Sequence, residues 1–429
     1  MTVVHRIPGL VLTDHTFHVP LDHAHPGGAT IEVFARAVSA AGQEKADLPW
    51  LLFLQGGPGF AAPRPLTNSG WIQRATAEYH VLLLDQRGTG RSTPLTFQTL
   101  ARIPTPQAQA DYLKHFRADA IVQDAEWIRR ALLGDAARWS VLGQSYGGFC
   151  AVHYLSTAPG ALREVFITGG LPSLTAHPDE VYRATYRRAS EKNRLYYARY
   201  PDDVARVQAI VAHLAAHEVL LPTGDRLTPR RFQQLGLDFG ASDGFERIHY
   251  LLEEAFVTGA HGEALSHTFL RGVENLQAYD TNPIFAILHE AIYCQGFASR
   301  WAAERIRAEY PDFELCAGAP VFFTGEMIYP WMFDDYRHLR PLKAAAELLA
   351  QEEGWPALYD PAVLRANSVP VAATIYYDDM YVDRDLAVET AAAIGGCRAW
   401  ITNEYEHNAL RADGEAVFGR LLELARGQR

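Results

Sequence analysis

Gly143-Gln144-Ser145-Tyr146-Gly147 is the stretch that most narrows what this chain can become. The apolar run Trp139-Ser-Val-Leu precedes it, Gly148 extends it, and Phe149-Cys-Ala-Val-His-Tyr-Leu follows with the length and composition of a helix. A chain that turns from strand to helix within so few residues passes close to its own backbone, so only residues without a side chain fit beside the apex. The apex serine is then held in a strained conformation above the sheet, a position suited to a nucleophile.

The surrounding pattern supplies that sheet. Trp50–Leu54, His80–Asp85 and Glu164–Thr168 are short, nearly continuous apolar runs, expected as strands buried on both faces. Ala118–Leu133 places Ile121, Ala125, Ile128 and Leu132 at helical spacing, and a second helix is expected from Tyr146 to the Pro159-Gly160 break. Phe17–Leu21 and Thr30–Ala37 flank the turn-rich Asp22-His-Ala-His-Pro-Gly-Gly and read as a hairpin. Strands alternating with helices imply an α/β fold with a mostly parallel sheet.

From Thr175 the texture becomes polar, aromatic and helical, rich in Arg and Tyr, and strand-forming sequence returns only at Val369–Tyr377 and Arg398–Thr402. Helical segments are expected at Leu386–Ile394 and Gly414–Leu424. At 429 residues the chain is long enough for two or three domains. The pattern favours two: a core made of residues 1–175 and 358–429, interrupted by a mainly helical segment, 176–357.

Composition removes several functional classes. The chain is 48% hydrophobic and 21% charged, as expected of a folded protein rather than a disordered one. A net charge of −11 without basic runs disfavours nucleic acid as a partner. Cys150, Cys294, Cys316 and Cys397 are too widely spaced for a metal-binding pair or a disulfide framework, and no metal or cofactor is expected. No apolar stretch is long enough to span a membrane, and Met1-Thr-Val-Val-His-Arg-Ile-Pro does not read as a secretory leader, so a cytoplasmic location is expected.

If Ser145 is a nucleophile, the remaining parts should lie at other strand ends. Gln55-Gly56-Gly57-Pro58-Gly59 follows the Trp50–Leu54 strand, and its backbone N–H groups can approach a substrate carbonyl; Gly57 and Tyr146 are the expected oxyanion donors. Asp85-Gln-Arg-Gly-Thr-Gly-Arg-Ser92 closes the next strand; no phosphate-binding glycine motif accompanies it, and Asp85 and Arg87 are expected to hold the loop. The base and its acid should follow in the order serine, acid, histidine. His407, just after the last strand, is the expected base, and Asp379, just after the strand ending at Tyr377, the expected acid, with Asp378 and Asp383 as neighbouring alternatives. Glu326 also ends a strand-like run, Pro320–Thr324, but another strand separates it from His407, so Asp379 is preferred.

Gly56-Gly-Pro-Gly59, Asp85-Gln-Arg-Gly-Thr-Gly-Arg-Ser92 and Gly143-Gln-Ser-Tyr-Gly-Gly148 together resemble the prolyl aminopeptidase (proline iminopeptidase) family of α/β-hydrolases. The chain length and the segments Asp378–Val382 and Glu406-His-Asn408 resemble its longer branch. The resemblance implies an α/β-hydrolase core with a helical cap inserted between its sixth and seventh strands. It further implies removal of N-terminal proline from peptides through Ser145, His407 and Asp379, without metal or cofactor. Cap carboxylates that bind the free amine are implied too; Glu290 matches best and Glu253 is second, with Phe285, Tyr293, Cys294 and Phe297 as candidates for the apolar slot around the pyrrolidine ring. Many relatives carry histidine where this chain has Gln55, so the hydrogen bonding that fixes this loop must differ. Other chemistries share such a core: an esterase or lactonase, a di- or tripeptide-releasing aminopeptidase, or a non-catalytic binding scaffold.

Overall fold

Nine described strands form one sheet in the order β1-β2-β3-β5-β4-β6-β7-β10-β11. The computed structural model describes residues 3–259, 262–316 and 318–428; Met1 and Thr2 of the N-terminal segment read above lie outside the described residues. The strands are β1 (Val3–Ile7), β2 (Leu10–Pro20), β3 (Thr30–Ala40), β4 (Trp50–Leu54), β5 (His80–Leu84), β6 (Trp139–Gln144), β7 (Leu162–Thr168), β10 (Val371–Tyr376) and β11 (Cys397–Thr402). β1, β2 and β3 run antiparallel and join β5 antiparallel; from β5 onward every neighbour is parallel.

Side chains alternate across a strand, and both faces of the central strands are covered. Leu52 and Leu54 of β4 pack on one side with Ile121, Ala125 and Ile128 of α2 (Ala118–Leu133) and Val152 and Leu155 of α3 (Tyr146–Thr157). Leu51 and Phe53 face the other side, against Trp71 and Ile72 of α1 (Gly70–Thr76) and Val417, Phe418 and Leu421 of α7 (Gly414–Ala425). The C-terminal helix thus completes the layer begun by α1.

Between β7 and β10 the described chain is helical apart from irregular segments and one small hairpin, β8 (Phe256–Gly259) with β9 (Gly262–Leu265). Its first helix, α4 (Pro178–Arg199), is 22 residues long. Among the described residues no helix is long and apolar enough to cross a membrane.

Four features depart from the sequence reading. β1 is an added edge strand with mostly exposed residues, paired antiparallel with β2 (Val3 opposite Asp14) and tied by Arg6 to Glu44, and β2 begins at Leu10 rather than Phe17. The β8-β9 hairpin occupies a stretch read as helical. Pro320–Thr324 has no regular secondary structure and pairs with no strand: the Asn193 side-chain amide donates to the Phe323 carbonyl and accepts from its N–H, and the Thr324 N–H donates to the Gln233 carbonyl. Local partners satisfy a backbone that the apolar pattern alone assigns to a sheet.

Asp85 and Arg87 fasten the loop they sit in. Arg87 is buried, pairs with Asp124, and donates to the carbonyls of Pro20, Leu21 and His115. Asp85 accepts from the N–H groups of Ala62 and Arg91 and pairs with Arg64.

Candidate active site

Ser145 stands between β6 and α3 with φ 53° and ψ −125°, a left-handed conformation that non-glycine residues rarely adopt. Its N–H donates to the Thr168 carbonyl at 2.9 Å and its carbonyl accepts from Gly148 at 2.7 Å, so the turn is fixed from both sides. The neighbouring glycines are required by space. A Cβ at Gly143 would lie 2.4 Å from the Gly147 carbonyl oxygen, and one at Gly148 would lie 2.4 Å from that of Gly170.

The glycine loop after β4 lies against this turn: a Cβ on Gly56 would come within 2.8 Å of the Ser145 Cβ. Gly57 and Gly59 have φ of 134° and 91°, conformations open to glycine. Gln86 donates to the Gln55 carbonyl at 2.9 Å, tying this loop to the one after β5. Gly56, the residue before Gly57, thus abuts the turn that leads into α3 at Tyr146.

His407 and Asp379 come from loops after β11 and β10, both nearly sealed from solvent. The His407 Nδ1–H donates to Asp379 Oδ2 at 2.7 Å, while Asp379 Oδ1 accepts from the N–H groups of Tyr381 (2.8 Å) and Val382 (3.1 Å). Asp378 is exposed, and Asp383 caps helix α6 (Arg384–Ala393) and pairs with Arg188. The imidazole packs edge-on against the Tyr381 ring, with centroids 4.7 Å apart. Gly169 and Gly170 bridge the two halves: a Cβ on Gly169 would lie 3.0 Å from His407 Nδ1, and one on Gly170 would lie 2.4 Å from the Ser145 carbonyl oxygen. Burial works against protonation of His407, but Asp379, with Glu326 and Glu406 behind it, outweighs burial and holds the imidazole pKa above its ordinary value.

The two glutamates expected to bind an amine differ in setting, and the charge of Glu290 acts with that of Glu326 on the buried Tyr182 and on Tyr293. Glu253 is exposed on a surface helix, with His249 3.4 Å away. Glu290 is buried, but its two oxygens accept from the N–H groups of Ala302 and Ala303, which begin helix α5 (Ala302–Arg307). Burial raises its pKa to about 7 against those hydrogen bonds. Phe285 meets Phe60 of the glycine loop at 5.4 Å and Tyr293 meets Phe149 of α3 at 6.0 Å, edge to face in both pairs. Cys294 is buried, and Phe297 turns instead to His177.

Glu326 is a further carboxylate close enough to act on the histidine. A Cβ on its neighbour Gly325 would touch Met380, the residue after Asp379, and Glu326 feels the charges of both His407 and Asp379. Burial pushes its pKa to about 7; His407 opposes that shift and Asp379 adds to it. The signal for Glu326 was present as an acid ending an apolar run, but it suggested a triad acid rather than a second, separate carboxylate. Among the described residues no group of three or more His, Cys, Asp or Glu is arranged to hold a metal ion.

A serine on a strained strand-to-helix turn, with a histidine–aspartate pair on later strand ends, defines an α/β-hydrolase. A family model described as the alpha/beta hydrolase fold matches residues 49–208. A proline iminopeptidase from Aeromonas sobria is 53% identical over 421 residues, covering 98% of this chain and 98% of that protein. Proline iminopeptidase aneH from Aspergillus aculeatus is 39% identical over 98% of this chain and 95% of its own length. Among solved structures, a proline iminopeptidase from Mycobacterium smegmatis aligns over 96% of this chain and 98% of its own at 14% identity, with a TM-score of 0.45. The chain belongs to the proline iminopeptidase family of α/β-hydrolases.

Proposed function

We propose that this chain is a serine aminopeptidase that releases proline from the N-terminus of peptides. Ser145 Oγ attacks the prolyl carbonyl, His407 takes the hydroxyl proton and delivers it to the leaving amine, and Asp379 holds the imidazole tautomer. The N–H groups of Gly57 and Tyr146 receive the oxyanion, and water then cleaves the prolyl ester by the same route in reverse. The scheme uses the chain's own side chains and backbone N–H groups, with water. The observation that carries it is the bond from His407 Nδ1–H to the buried Asp379, across Gly169-Gly170 from the strained Ser145. Near full-length similarity to proline iminopeptidases supports the choice of substrate. Residues 176–357 act as a cap over a core of residues 1–175 and 358–429.

A prolyl N-terminus is a secondary ammonium at neutral pH, and in a dry site a carboxylate is the side chain that pairs with it. We assign this role to Glu326, because Glu290 is occupied by the start of α5 and Glu253 lies outside. The cation binds the ionised carboxylate, so affinity should strengthen as pH rises through about 7, the value to which burial lifts Glu326. Glu326→Gln is expected to raise KM for a prolyl amide at least about tenfold, as expected for loss of a buried charge pair, and to flatten that pH step in KM. An unchanged KM removes Glu326 from amine binding.

Comparing a prolyl chromogenic amide with its N-acetylated form and a short-chain ester tests the reading as a whole. Only the free-amine substrate should turn over efficiently. Equal use of the acetylated amide, or a preference for the ester, would reassign the chain as an esterase or lactonase. Release of di- or tripeptides from longer peptides would make it a different aminopeptidase.

A further inference from the structure

Helix α4 carries Arg188 and Lys192 on one face, one turn apart, and each reaches a loop that holds part of the candidate triad. Arg188 Nε donates to Asp383 Oδ2 at 3.0 Å, in the segment that follows Asp379. Lys192 Nζ lies 2.5 Å from Glu406 Oε1, in the residue before His407. The Lys192 side chain is only 5% exposed, and the second oxygen of Glu406 is buried without a partner. A buried ammonium is costly to hold unless a specific charge requires it.

The requirement is visible around the imidazole. Asp379 faces His407 from the loop after β10, Glu326 from the irregular segment of the insertion, and Glu406 from its own loop; Asp378 adds its field at Glu406, and Tyr381 and Tyr376 contribute rings. Lys192 is the cation set against Glu406 in this acidic surrounding, and it comes from the inserted segment rather than from the sheet. The same segment also grips the histidine loop through backbone: His407 N–H donates to the Gly240 carbonyl at 3.2 Å, and Asn408 Oδ1 accepts from Ser242 N–H at 3.0 Å.

We propose that Lys192 is a positioning residue, contributed by the inserted segment, that neutralises Glu406 and so sets the pH at which His407 becomes available as a base. The proposal rests on His407 being the base for Ser145, not on proline being the substrate. Without Lys192 the bare Glu406 charge favours imidazolium and postpones the base to higher pH; without Glu406 the bare ammonium disfavours imidazolium and advances it to lower pH. A purely structural tie has no reason to give shifts of opposite sign.

The experiment measures the rate at which a fluorophosphonate labels Ser145 as a function of pH, a reaction that needs the serine and its base but no prolyl pocket. Lys192→Met should move the midpoint up and Glu406→Gln should move it down, each by roughly half to one pH unit. Lys192→Met combined with Glu406→Gln should return it to the wild-type value, and Lys192→Arg should preserve it. If Lys192→Met does not fold, Glu406→Gln and the double variant still decide the sign. Midpoints that stay in place, or that move in the same direction for both single variants, overturn the proposal. Wild-type labelling without prolyl-amide turnover rejects proline as the substrate and leaves this proposal standing; a wild-type chain that is never labelled rejects both.

Discussion

Ser145→Ala is expected to lower kcat on a prolyl amide by about 10⁶-fold while leaving the thermal midpoint where it was. In the proposed scheme the loss is large because serine and histidine act as a unit: without the hydroxyl there is no acyl-enzyme, and only binding and the oxyanion donors remain to assist water. The fold should not notice the change. The strained φ of 53° is imposed by backbone bonds from Ser145 N–H to Thr168 and from Gly148 N–H to Ser145, and alanine keeps both. Steady-state kinetics and a thermal melt on the same preparation check this; activity within tenfold of wild type would remove Ser145 from the reaction.

Gly147→Ala should do the reverse and damage the fold itself. A Cβ there would lie 1.9 Å from the carbonyl oxygen of Leu54 and 2.5 Å from its carbon, both backbone atoms of the central strand β4. No flexible side chain is available to move aside, so β4 and α3 must separate, disturbing the glycine loop after Leu54 at the same time. The expected cost is at least about 4 kcal/mol, among the largest single-residue effects, read as a lowered denaturation midpoint or as insoluble protein. Gly160→Ala is the matched control: nothing lies within 4 Å of its added Cβ, and its effect should stay within about 0.5 kcal/mol. Equal stability of the two variants would show that the packing of α3 on β4 is looser than described.

Much of this was legible because the core strands are short, apolar and bounded by glycine or polar residues. Trp50–Leu54 and Ala118–Leu133 have the same limits in the sequence pattern and in the structure. Once the strand ends were located, the positions of Ser145, Asp379 and His407 followed, since each sits on the loop after a parallel strand. The carboxylate proposed to bind the amine was not legible. Glu290 is buried and Glu326 half-buried, both with pKa values near 7, and what separates them is whether a helix start at Ala302 takes up the oxygens, a contact between distant segments that no spacing encodes. Exposure likewise separates Glu253 from both, although all three occur in similar apolar company. β1 escaped notice because its residues are largely exposed and carry no alternation to read.

The pairing of β7 with β10 has a consequence for synthesis. About 200 residues lie between Thr168 and Val371, so the sheet must wait for the whole insertion before its last two strands can join it, and closing so long a loop slows folding. A nascent chain carries Ser145 and the glycine loop early, yet the loops bearing Asp379 and His407 follow more than 230 residues later. The histidine therefore reaches the serine only after the whole insertion has been made, and a chain terminated before residue 407 lacks it altogether.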